Sequence, residues 1–185
     1  MHRTNSLRTR ALAVAAGVLA AGALSFGIGA SAAGAAGPDV DFGFNARAIQ
    51  GAPTGVVRMT GGGSFDASTS AIDAGGGFRC TSSVNQGPLT GCLAGEGVRW
   101  HAAQFLPSTP FKCTGATSEA LKTGTTDRDT VAFRADFFRA GNGNNRSFTA
   151  NVIVSATDIA PDIDGVQNAW IQNAGCATST ANFSS

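Results

Sequence analysis

The chain has no tyrosine, two methionines and two histidines in 185 residues. His2 sits in the first few residues, so His101 is the only histidine in the body of the chain. Any Ser–His–Asp or Cys–His site would have to use it. No serine lies in a G-x-S-x-G turn. No C-x-x-C pair is present, which leaves zinc without a ligand frame. The two Gly-Gly-Gly runs are followed by neither GK[ST] nor an amphipathic helix, so neither is a phosphate loop. Asp158, Asp162 and Asp164 before Gly165 resemble part of a calcium loop. Ala160 stands where the first ligand belongs and no glutamate follows at the twelfth position, so the expectation is a solvated acidic loop. No metal and no cofactor are expected. Without a Lys/Arg cluster, nucleic acid is not an expected partner.

What is present begins with Arg3, Arg8 and Arg10, then an apolar run from Ala11 to Ile28, then Ala30-Ser31-Ala32. Basic, apolar, Ala-x-Ala is the order of a secretory signal peptide. A retained membrane anchor is the alternative, but Gly17, Gly22, Gly27 and Gly29 interrupt the run. Residues 1–32 are read as the leader, 33–39 as a flexible N-terminus and 40–185 as one β-domain. Cleavage leaves about 150 residues, enough for one core. It removes three of the 13 basic residues and none of the 12 acidic ones, leaving a weakly acidic chain. No later run is apolar and long enough to span a bilayer, so the localisation expected is extracellular. Cys80, Cys92, Cys113 and Cys176 are an even set, as expected of two disulfides in an exported chain. Three pairings are open. Cys80 with Cys92, around a short Gly-Pro loop, and hence Cys113 with Cys176, is the favoured one.

Period-two alternation dominates from Val40 onward. Val57, Met59, Gly61, Gly63 and Phe65 form one face of a strand, and Ile72, Ala74, Gly76, Phe78 and Cys80 one face of the next. Pairing Phe65 with Ile72 brings Gly61 to Gly76 and Met59 to Phe78, and a slip of one residue would expose one of the two apolar sets. A second hairpin pairs Phe137 with Phe148, Ala135 with Ala150, Phe133 with Val152 and Val131 with Val154. Val98–Leu106 fits a strand or a short helix, and Pro107–Pro110 ends it. Val166–Gln172 and Ala177–Phe183 are candidate closing strands. About eight short strands predict an all-β fold, a single antiparallel β-barrel, with a sandwich as the alternative. Glycine-assisted bending favours the barrel.

The glycine strip at Gly61, Gly63 and Gly76 needs something close above it: a backbone, a ring or a ligand. With Trp100 and His101 it forms the candidate ligand-contact set. His101 falls on the face opposite Trp100, beside Arg99. Arg58, Arg79, Arg99, Arg134 and Arg139 read as solvated outer positions.

The run GGGSFDASTSAIDAGGGFRC, with GEGVRW, LPSTPFKCTG, ADFFRAGNGN and QNAWIQNAGC, resembles a family of small exported proteins from high-GC Gram-positive bacteria with no assigned activity. The resemblance covers about Phe42 to Phe183. It implies export and no functional residues. A looser likeness joins the chain to barrels of the allene-oxide-cyclase and dirigent type, at the level of architecture, which is poor ground for function. The function expected is a secreted, non-enzymatic binding or envelope-associated domain taking a small apolar ligand, an envelope glycan or a protein. The alternative is an isomerase or hydrolase of low motif content using His101 with Glu96 or Asp136.

Overall fold

The structure, a computed structural model, describes residues 39–51, 54–139 and 145–185. The expected leader, most of the flexible N-terminus, the middle of the Gly51–Gly55 turn and the Gly141–Asn144 part of the second hairpin's connection lie outside the described residues. The strands are β1 (Val40–Gly51), β2 (Val57–Asp66), β3 (Ala71–Cys80), β4 (Gly97–Leu106), β5 (Ser108–Phe111), β6 (Lys122–Thr125), β7 (Thr130–Arg139), β8 (Phe148–Ser155), β9 (Ala169–Ile171), β10 (Gly175–Ala177) and β11 (Ser179–Ser184).

Antiparallel neighbours run β1-β2-β3-β4-β7-β8-β9-β10. β10 pairs back to β1 through Gln50–Cys176 and Gly51–Gly175, which closes a ring of eight strands. β11 takes the remaining edge of β1, from Asp41 to Ala46. The fold is all-β, as the alternation predicts, and Val98–Leu106 belongs to a strand. Both hairpin registers are those set by parity: Phe65 opposite Ile72, Gly61 opposite Gly76, and Phe137 opposite Phe148. Asp66 shapes the first turn by accepting from the Ser68 amide (2.8 Å) and hydroxyl (2.6 Å). The Ser68 hydroxyl is the main reason its carboxyl titrates below the ordinary range.

The ring interior is filled mainly by phenylalanine. Phe42, Phe44, Phe65, Phe78, Phe105, Phe133, Phe137 and Phe148 are buried there around a fully buried Trp100. Phe137 stacks on Phe148 at 4.6 Å, and Phe78 meets Phe137 edge-on at 5.0 Å. Such contacts add to the area each ring removes from water.

A second apolar layer lies outside the ring. Ala132, Ile153 and Trp170 alternate with the inward residues of β7, β8 and β9, yet they too are buried. Phe111, Cys113 and Ala160 cover them, with Ile159 and Ile163 packed alongside. This corrects two expectations. Pro107–Pro110 does not simply end a strand, because Ser108–Phe111 pairs with Lys122–Thr125 as a separate two-stranded sheet. The acidic loop is solvated only on its carboxylate side; Ile159, Ala160 and Ile163 pack inward. Gly124 lets β6 lie close over β8, since a Cβ there would sit 2.5 Å from Ile153 Cδ1. The ninth strand is also shorter than expected, Ala169–Ile171 rather than Val166–Gln172.

The disulfides are Cys80–Cys92 and Cys113–Cys176, the favoured pairing. The second ties the outer layer to β10. Beside it Glu119, only 7% exposed, accepts from the amides of Cys113 and Thr114 (both 2.7 Å), from Thr114 Oγ1 (2.5 Å) and from Lys122 Nζ (3.1 Å). Lys122 reaches on to Asp162 (2.9 Å), joining β6 to the acidic loop. Burial pushes the Glu119 carboxyl up, but these donors outweigh it and hold it at about 2, against an ordinary 4.5. A depressed folded-state pKa gives stability that is present above the unfolded value and lost as pH falls through the folded one. The melting temperature should therefore drop between about pH 4.5 and 2, and Glu119→Gln should flatten that part of the profile. An unchanged slope in the variant would mean that other carboxylates drive acid unfolding.

Candidate functional site

The inner glycine strip is already occupied. Trp100 lies against it, and its Nε1 donates to the Thr60 carbonyl at 3.1 Å. The indole stacks on Phe133 at 5.4 Å and tilts against Phe44 at 6.0 Å. A Cβ on Gly61 would sit 2.5 Å from Trp100 Cζ2 and 2.3 Å from the Gly75 carbonyl oxygen. On Gly63 or Gly76 it would come within 2.0 Å of a carbonyl oxygen of the neighbouring strand. These glycines admit a ring and a close backbone, two of the three occupants the strip calls for.

His101 faces the other way, exposed, between Gly75 on β3 and Asp136 on β7. Its ring meets Phe138 edge-on at 5.8 Å. Asp136 accepts from Thr149 Oγ1 at 2.8 Å and lies 3.5 Å from Arg146 Nη1. His101 and Asp136 thus share an outer face and sit in direct cross-strand register. Glu96 is engaged elsewhere: its carboxylate accepts from the Leu93 amide (3.0 Å) and faces Arg139 (3.4 Å). The candidate set is therefore divided, with Trp100 and the strip inside and His101 outside.

The outer face holds two adjoining clefts. One, of about 560 Å³, lies where β5, the β9–β10 turn and the Gln86 loop meet, and is lined by Phe111, Lys112, Leu121, Asn151, Trp170 and Gln172 among others. The next, of about 530 Å³, is lined by Gln104, Arg134, Asp136, Arg146, Thr149, Asn151 and Gln172. Asn151 and Gln172 line both, so the two clefts adjoin at these residues and are together called the groove. Asn151 Nδ2 donates to Thr109 Oγ1 (3.0 Å) and Gln172 Oε1 accepts from the Asn151 amide (3.1 Å). Among the described residues Asn151 Oδ1 and Gln172 Nε2 have no partner, which leaves an acceptor and a donor at the junction. Leu121, 68% exposed, stands at the rim.

No family model, no curated protein and no solved structure matches this chain.

The groove therefore rests on its own chemistry: carboxamides where the clefts meet, an apolar base of Phe111 and Trp170 with Lys112 on one side, and Arg134, Asp136 and Arg146 on the other. Among the described residues no three His, Cys, Asp or Glu side chains gather to hold a metal. Parity already placed Arg134, Asp136, Thr149 and Asn151 on one face of the second hairpin, but it did not mark them as a site. Lys112, Phe111 and Gln172 arrive through the outer layer, for which the alternation carries no signal.

Proposed function

We propose that the protein is exported and acts outside the cell as a non-enzymatic binding domain, holding an extended polar polymer, an envelope glycan by class, across the groove at Asn151 and Gln172. The observation that carries this reading is the filled interior. Where Trp100 and the phenylalanines occupy the ring, a small apolar ligand has no room, and recognition falls to the outer surface. Two disulfides fit an oxidising, extracellular setting. An open groove with an unengaged acceptor and donor at its centre suits hydroxyl-rich chains, which need both.

Screening the disulfide-intact protein against an array of neutral and acidic oligosaccharides should find saturable binding. Asn151→Ala should weaken that binding about tenfold, the effect of one lost hydrogen bond, while a melting curve, lowered by the loss of the Asn151–Thr109 bond, shows that the variant still folds. No binding, or binding indifferent to Asn151, would overturn the reading. Asp136 in the groove lining, with His101 opposite it in cross-strand register, favours a second reading in which the bound polymer is also cleaved. Time-dependent release of shorter chains, lost in His101→Ala with binding retained, would establish it.

A further inference from the structure

Two further glycines behave unlike those under Trp100. A Cβ on Gly77 would meet nothing closer than Thr60 Oγ1 at 3.6 Å, and on Gly97 nothing closer than Arg79 Nη2 at 4.0 Å. Neither has a positive φ. Packing and backbone geometry would allow a side chain at either, and glycine weakens a strand where neither demands it. Their effect is to leave a cleft of about 360 Å³ open on the outer face of β2, β3 and β4, lined by Arg58, Thr60, Gly77, Phe78, Arg79 and Gly97.

Arg58 and Arg79 stand directly opposite each other across β2 and β3. Like charges in that relation destabilise a sheet. No acidic side chain relieves them: among the described residues neither has an ion-pair partner. Glu96, the acid nearest the cleft in sequence, is held by the Leu93 amide and Arg139. Arg99, opposite Gly77 on β4, leans away over the Phe138 ring at 5.1 Å.

We propose that this cleft is an oxyanion site for a phosphate group, bridged by the guanidinium groups of Arg58 and Arg79 with the Thr60 hydroxyl as a further donor. A guanidinium presents two parallel N–H donors to a tetrahedral oxyanion, and a doubly charged group between two of them cancels the repulsion the bare sheet carries. The glycine floor lets the anion approach the sheet. The site lies on a different sector of the ring from Asn151 and Gln172 and does not rest on the glycan reading.

Isothermal titration at low salt tests this with the full disulfide-intact chain and two probes, inorganic phosphate and a linear polyphosphate. At least one should bind saturably, and at least tenfold more weakly to Arg58→Gln/Arg79→Gln. Gly77→Val, which fills the cleft while keeping both charges, should also weaken it. Arg128→Glu, equal in charge change at an exposed turn residue outside both clefts, should leave it intact, with melting curves confirming that each variant folds. Phosphate binding as tightly as the polymer, per phosphate, would identify the free ion as ligand; preference for the polymer would identify a chain-borne phosphate. Saturable binding to neither probe, or equal weakening by Arg58→Gln/Arg79→Gln and by Arg128→Glu, would overturn the proposal, the latter result reporting diffuse attraction only.

Discussion

Removing the Cys113–Cys176 disulfide by replacing both cysteines with alanine is expected to lower stability by about 4 kcal/mol, from the loop-closure entropy of a long cross-link. The bond spans 63 positions, against 12 for Cys80–Cys92, whose removal should cost nearer to 3 kcal/mol on the same grounds. The difference should be reinforced by position. Cys113 leads out of the β5–β6 sheet, and Cys176 lies in β10, a three-residue strand whose pairing with β1 closes the ring. Urea unfolding of the two double variants measures both costs. A larger loss for the Cys80–Cys92 pair would mean that the outer layer holds itself by packing alone.

Trp100→Ala should cost about 4 kcal/mol, since a fully buried indole leaves a cavity that the glycine strip beneath cannot fill. The reciprocal change, Gly61→Ala, drives a methyl group into the indole and into the Gly75 carbonyl, and should cost about 2 kcal/mol through overpacking. The two changes meet at the same contact. Combined, they should cost less than their sum by more than about 0.5 kcal/mol, because the methyl group enters space the indole has left. Strict additivity would show that Gly61 is needed only for its backbone partner. Trp100→Ala should also gain affinity for small aromatic molecules such as benzene, which the intact ring should exclude.

The inner half of this architecture was legible because both hairpins alternate strictly: parity excludes a one-residue slip, and matching apolar to apolar residues and glycine to glycine picks the register that is present. The sequence left three disulfide pairings open, and the one favoured by the short Gly-Pro loop is the one present. The outer layer was not: Val152-Ile153-Val154 reads as one buried strand whether or not its second face is covered, and Pro107–Pro110 looks like a stop until its neighbours are known. The glycines show the same limit. Parity puts Gly61 and Gly77 on opposite faces of the hairpin, but it does not show that a ring fills the space above one and leaves the space above the other open. Arg58 and Arg79 were placed on one outer face by register, yet their cleft depends on β4 lying alongside with Gly97 at its start. His101 and Asp136 share a face because β4 pairs with β7, a connection that skips the β5–β6 sheet.

The central claim is that the ring is solid and that recognition occurs on its outside. Its most direct test is the intact mass of the protein recovered from culture medium, measured under native and then denaturing conditions without reductant. The account predicts the same mass in both, that of the leader-free chain less four hydrogens for two disulfides. A small-molecule mass carried only in the native spectrum, and retained by Asn151→Ala and by Arg58→Gln/Arg79→Gln, would place a ligand inside the ring and contradict it.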